Sequence, residues 1–397
     1  MALTLLFENI RNFRSSSKQS AISEKIKVET RNHFFPGFRK VLYLIFCVFG
    51  LDFSCDYSSK LKNNIINFNK IANVILYLFS FTNYCRDRKV VPFLSSDAGM
   101  KIFYAEGIEY ICSAVIFCTL HFSIRKAAKI FMHVIRLKKK LHTQHSGTFS
   151  SFCIIFIVIN YLSNIIILFH PFTKGRYETL LSSWHFKESN NENLKICIAC
   201  LLVAFRCFFI TFLPDSVIAL YIITCHDIQT ILSFHLRKYK KNKILSVRRL
   251  LTFLDSYQEI LVNFHAFESS FCFLICLAFT TKITSLLTNV LLLNKFPDNT
   301  VFIYRAFMSF SCITIIFYIA SKVAETDKHA KEINLQMLER MLFITAEFPF
   351  SNAFSIWRLN TSPPFTLTVW NFFSFTRHTY LNCIGALVTY TLLLVNL

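Results

Sequence analysis

The sequence predicts an all-α membrane protein in which seven helices cross the bilayer. Three observations carry that reading. Hydrophobic residues make up 54% of the chain and charged residues 17%, with 46 Phe, a balance too apolar for a soluble protein of 397 residues. Several apolar runs reach the roughly 20 residues that a helix needs to cross a bilayer. The basic residues, which give a net charge of +20, concentrate between those runs. That placement fits loops facing an anionic cytoplasmic leaflet, not a nucleic-acid-binding surface.

Residues 1–40 are polar and net basic and are expected to form a cytosolic N-terminal segment. The apolar piece Ala2–Phe7 is too short for the core of a signal peptide. Residues 41–53 are apolar but too short to span, which suits a re-entrant or interfacial helix. Residues 65–322 are then expected to hold six crossing helices, at 65–84, 102–122, 149–169, 196–223, 265–293 and 301–322. The first is the weakest, with Asn67, Asn69, Lys70 and Asn73 in its opening half.

Loop charge sets the orientation. The stretch 122–148 holds Arg125, Lys126, Lys129, Arg136, Lys138, Lys139 and Lys140 with no acid, and 224–264 is similarly basic. Both fall on one side if seven segments cross, and with the basic N-terminus that side is cytoplasmic. The C-terminus is then extracellular, a topology opposite to that of G-protein-coupled receptors. Helical spacing of apolar residues from Leu245 onward and again from Lys322 to Phe343 predicts helices extended into the cytosol and bundled there. Residues 323–376 form the expected cytoplasmic anchor segment, and 377–397 the seventh span.

No enzyme signature is visible, and no cofactor or metal site is expected. Most of the 14 Cys lie in apolar runs, where they behave as small hydrophobes. Cys197 and Cys200 form a lone C-x-x-C inside a span with no second pair. Only two glycines, Gly107 and Gly385, fall inside crossing segments, which disfavours a transporter built on interrupted helices.

Polar groups inside spans are costly and therefore mark candidate sites. Glu106, Glu109 and Tyr110 share a face of the second span; Tyr161 and Asn164 lie in the third and Arg206 in the fourth. Asp215 reads as lying near the cytoplasmic end of the fourth span, beside Pro214, which should kink it. Thr288 and Asn289 lie in the fifth span, Tyr304 and Arg305 in the sixth. These groups, Asp215 apart, could line an outward-open pocket for a small organic molecule. Alternatively, an Arg206–Glu109 ion pair merely stabilises the bundle.

The closing stretch is the most informative. Its helix rises roughly 31 Å, about one bilayer core. Asn382, Ala386, Thr389, Leu393 and Asn396 step by four and three and share one face. That stripe either joins helices by hydrogen bonds or lines a water-filled path.

Within this stretch, Thr389-Tyr390 is followed by TLLLV, then Asn396 and Leu397. The pattern resembles the C-terminal signature of the insect gustatory receptor family, of the seven-transmembrane insect chemoreceptor superfamily: Thr-Tyr, five mostly apolar residues, Gln, then Phe. Here Asn stands for Gln and Leu for Phe. The span count, inside N-terminus and short preceding helix extend the resemblance over nearly the whole chain. It implies a ligand-gated, non-selective cation channel in the plasma membrane of chemosensory neurons. Such a channel is a tetramer, homomeric or with related receptors, surrounded by membrane lipid and opened by a small-molecule tastant. The seventh span lines its pore, with gate positions at Asn396 and Leu397. Sweet-sensing members often carry Glu after Thr-Tyr, so Thr391 points to a non-sugar, bitter-type compound. Two alternatives stand: an odorant-type channel of the same superfamily, and a seven-span receptor that signals through cytosolic partners without its own pore.

Overall fold

The computed structural model describes residues 46–50, 60–87, 97–140, 155–156, 158–162, 193–194, 197, 201, 204, 207–240, 247–295, 300–344, 368–369 and 373–396. The chain is a helical bundle. Its elements are α1 (Lys60–Asp87), α2 (Asp97–Lys140), a π-helical turn (Phe208–Phe212) leading into α3 (Leu213–Lys240), α4 (Val247–Lys295) and α5 (Thr300–Ile344). A two-stranded hairpin of β1 (Thr368–Val369) and β2 (Phe373–Ser374) precedes α6 (Arg377–Asn396).

Among the described residues, four stretches are long and apolar enough to cross a membrane: Tyr104–Ser123, Phe208–Phe234, Ser256–Leu293 and Phe302–Glu332. The helices that carry them run well past these spans. With 44, 49 and 45 residues, α2, α4 and α5 each extend more than about 65 Å, beyond the ~45 Å of a whole bilayer. Sequence reading took the basic stretch 122–148 and the first part of 224–264 as loops, with helix expected again from Leu245. Instead α2 continues to Lys140 and α3 to Lys240, while α4 begins at Val247, close to where helix was expected. The physical reason is an apolar stripe under the charges: Ala128, Phe131, Val134 and Leu137 are buried at helical spacing.

α3 lies innermost and touches α2, α4 and α5. Its residues from Leu213 to Cys225 are buried on every side, as expected of a helix apolar all round. α4 is the hub, packing against α2, α3, α5, α6 and β1. Where these long helices extend toward the basic end, polar contacts gather, buried between α4 and α5 and more exposed between α2 and α4. The Tyr257 hydroxyl donates to Asp327 Oδ1 at 2.6 Å, and Lys331 Nζ lies 3.6 Å from Asp327 Oδ2. His133 and Glu259 approach to 3.7 Å between α2 and α4.

The short apolar segment before α1 packs into the bundle. Phe46 and Phe49 are fully buried, and the helical turn ends at Gly50 with φ +72°. A Cβ there would meet the Lys70 backbone nitrogen at 2.6 Å, so glycine is required twice over, by conformation and by space. Asn69 Nδ2 donates to the Cys47 carbonyl at 3.2 Å and Asn73 Nδ2 to the Val48 carbonyl at 2.8 Å. The asparagines that weaken α1 as a span thus satisfy the carbonyls at the end of the short helix.

Candidate functional site

Two regions are candidates for the functional chemistry: a polar and aromatic layer inside the bundle, and the closing helix. The first is organised by Pro214. Proline has no N–H and its ring crowds the carbonyl four residues back. The helix accommodates this with a π turn, in which the Leu213 N–H bonds to the Phe208 carbonyl. Thr211 and Ser216 hydroxyls donate to the Cys207 and Phe212 carbonyls at 2.8 and 2.7 Å, filling acceptors around the distortion.

Immediately after this turn, Asp215 forms an ion pair with Lys282 of α4, both side chains 4% exposed. Asn160 Nδ2 donates to Asp215 Oδ2 at 2.5 Å, and Glu109 of α2 lies within electrostatic range of Lys282. Lys282 sits about three and a half turns from the Lys295 end of α4. This corrects the expected depth of Asp215, which lies toward the end of the bundle away from the basic residues. The cause is the continuation of α3, which stays apolar as far as Phe234, well past Asp215.

An aromatic layer surrounds the same level. Phe208 stacks on Phe49 at 4.3 Å between ring centres, and Tyr161 packs against Phe212 at 4.7 Å. The Tyr77 hydroxyl donates to the Tyr110 carbonyl while its ring meets Phe209 edge-on at 5.5 Å. Of the pocket residues expected from the sequence, Glu109, Tyr110 and Tyr161 belong to this layer, and Glu106 is half-buried on the same face of α2. Thr288 and Asn289 are buried farther along α4, where they donate to the Thr284 and Ser285 carbonyls at 2.8 and 2.6 Å. Tyr304 and Arg305 are half-buried on α5, and the Tyr304 hydroxyl is enclosed without a hydrogen bond among the described residues. Asn164 and Arg206 lie outside the described residues, so the Arg206–Glu109 pairing does too.

Sequence reasoning passed over Lys282 and Asn160. The signal for Lys282 was present, since it is the lone charge between Glu268 and Lys295. Asn160 carried no comparable mark.

The closing helix α6 is started by Thr376. Its hydroxyl accepts the Thr379 N–H at 3.2 Å, and its carbonyl accepts the Tyr380 N–H at 3.0 Å. Of the expected stripe, Asn382, Ala386, Thr389 and Leu393 are all exposed. Asn396 is the last helical residue and Leu397 lies outside the described residues. The Thr389 hydroxyl donates to the Gly385 carbonyl of its own helix at 2.9 Å. Its donor is therefore satisfied without a neighbouring helix, and its lone pairs face outward. Tyr390 of the Thr-Tyr pair is also exposed, at 62%. Among the described residues no cluster of His, Cys, Asp and Glu could hold a metal ion.

No family model and no curated protein matches the chain. Among solved structures it is similar to the insect olfactory receptor OR5 from Machilis hrabei in complex with eugenol. The TM-score is 0.69 at 15% identity, covering 90% of this chain and 98% of that one. The same receptor without eugenol gives a TM-score of 0.68 at 15% identity, covering 90% and 97%. At that identity the likeness is one of fold. The chain has the seven-transmembrane, all-helical fold of the insect olfactory receptor, the fold that the resemblance to insect chemoreceptors led one to expect.

Proposed function

We propose that this chain is a subunit of a gustatory-type, tastant-gated, non-selective cation channel. The observation that carries the reading is the closing helix, which is exposed outside its own subunit around most of its circumference, the polar stripe included. Asn382 and Thr389 are exposed on α6, a poor arrangement toward lipid and a suitable one toward water. In a tetramer, four such faces would surround one path. Rings of neutral amides and hydroxyls would replace part of a cation's hydration without the strong discrimination of charged rings. Asn396 and Leu397 would form the mouth, extracellular if the basic end is cytoplasmic.

The likeness in fold to an insect olfactory receptor solved with eugenol supports a small organic ligand. Glu109, Tyr110 and Tyr161, in the layer with the Asp215–Lys282 pair, are the side chains that would receive it within the bundle. The Thr389-Tyr390 pair favours the gustatory over the odorant branch, and Thr391 favours a non-sugar, bitter-type compound. The plasma membrane of a chemosensory neuron is the corresponding location.

Expression of the chain in cells, with a panel of alkaloids, phenylpropanoids and sugars and no added nucleotide, tests the proposal. Compound-evoked cation current in excised patches is expected. A response that appears only with a G protein present would replace the channel by a receptor lacking its own pore.

A further inference from the structure

Among the described residues, the polar and aromatic side-chain contacts that tie α6 to the other helices fall at its base. Phe375, 2% exposed, enters a ring cluster drawn from three helices: Tyr221 of α3 at 6.4 Å, Phe279 of α4 at 5.9 Å and Phe317 of α5 at 5.0 Å. One turn later the Tyr380 ring lies 5.2 Å from Phe317, and its hydroxyl lies 3.1 Å from Thr314 Oγ1. Thr314 has one proton, and it is given to the Phe310 carbonyl at 3.0 Å. Tyr380 is therefore the donor and Thr314 the acceptor. Arg377 reaches Glu325 of α5 at 3.9 Å, a partly exposed pair that adds little. Farther along, Leu381, Val388, Leu392 and Leu393 are all at least half exposed.

We propose that the base of α6, Phe375 to Tyr380, is the joint through which movement of α4 and α5 reaches the pore helix. Tyr380 and Thr314 are its positioning residues. The inference rests on the proposed function, because it needs α6 to line a water-filled path. Phe375 makes α6 follow three helices, two of which, α3 and α4, also carry Asp215 and Lys282. The Tyr380–Thr314 bond fixes the angle at which α6 leaves α5. A lever held at one end turns a small displacement at its base into a larger one at its tip.

The test uses the full chain in intact cells with Thr389→Cys, following its modification by a membrane-impermeant cationic thiol reagent. The rate is read on the peptide containing residue 389 by mass spectrometry, so no ligand is needed. Tyr380→Phe and Thr314→Val each remove the bond while leaving the fold's apolar contacts. Each is expected to raise the modification rate about fivefold, the size of one net hydrogen bond. The double variant should go no further than either single one. Unchanged or lower rates, or effects that multiply, would overturn the joint while leaving the channel reading intact. A residue 389 that stays unmodified in every background would remove the water-filled path, and the joint with it. A purely structural role would shift thermal melting and leave the modification rate where it was.

Discussion

Lys282 of α4 and Asp215 of α3 form an ion pair inside the bundle, each side chain 4% exposed, with Asn160 donating to the same carboxylate. Three chain segments meet at that carboxylate. Such a pair gains strongly from mutual attraction only because both ions have already lost water. Removing one partner is therefore worse than removing both. Lys282→Met is expected to destabilise the protein by about 3–5 kcal/mol, and Lys282→Met with Asp215→Leu to recover most of that loss. Thermal unfolding of the purified protein in detergent provides the measurement, and a double variant as unstable as the single one would contradict the pairing.

Two glycines, Gly50 and Gly385, give opposite expectations. Gly50 adopts φ +72° with the Lys70 backbone 2.6 Å from where a Cβ would stand, so Gly50→Ala should destabilise by at least about 1–3 kcal/mol. A Cβ on Gly385 meets nothing within 4 Å. Gly385→Ala should leave the subunit as stable or raise stability by up to ~1 kcal/mol through helix propensity. If α6 faces a pore, the same change should alter single-channel conductance. Melting curves and single-channel records of both variants separate the cases.

At the basic end, Tyr257→Phe removes the hydroxyl that reaches Asp327, a carboxylate only 1% exposed. The expected cost is about 1–3 kcal/mol of stability. Ion selectivity should not change, because this contact joins α4 to α5 and involves none of the stripe residues of α6. A shift in reversal potential would count against that assignment.

Much of this fold was legible in the sequence, and the omissions have physical causes. Apolar runs and basic stretches gave the class of architecture, and the closing helix a candidate face. Charge hid structure in the stretches 122–140 and 224–240, where helices continue under basic side chains. Asn69 and Asn73 weakened α1 as a span, yet their work is to satisfy the carbonyls of the preceding short helix. Such long-range pairing has no local signature. The Asp215–Lys282 pair was half visible: both charges interrupt apolar runs, but only the packing of α3 against α4 reveals that they belong together. Thr389, read as needing a partner elsewhere, turns back on Gly385 of its own helix.

Pore lining by α6 is the central claim, and ion permeability of a stripe variant tests it most directly. Reversal potentials under bi-ionic conditions should be compared for the unaltered chain, Asn396→Ala and Leu394→Ala, each recorded during the compound-evoked current. The account predicts a changed permeability ratio or conductance for Asn396→Ala and little change for Leu394→Ala. Equal effects at the two positions, or none at either, would mean that α6 serves packing and that the conducting path lies elsewhere.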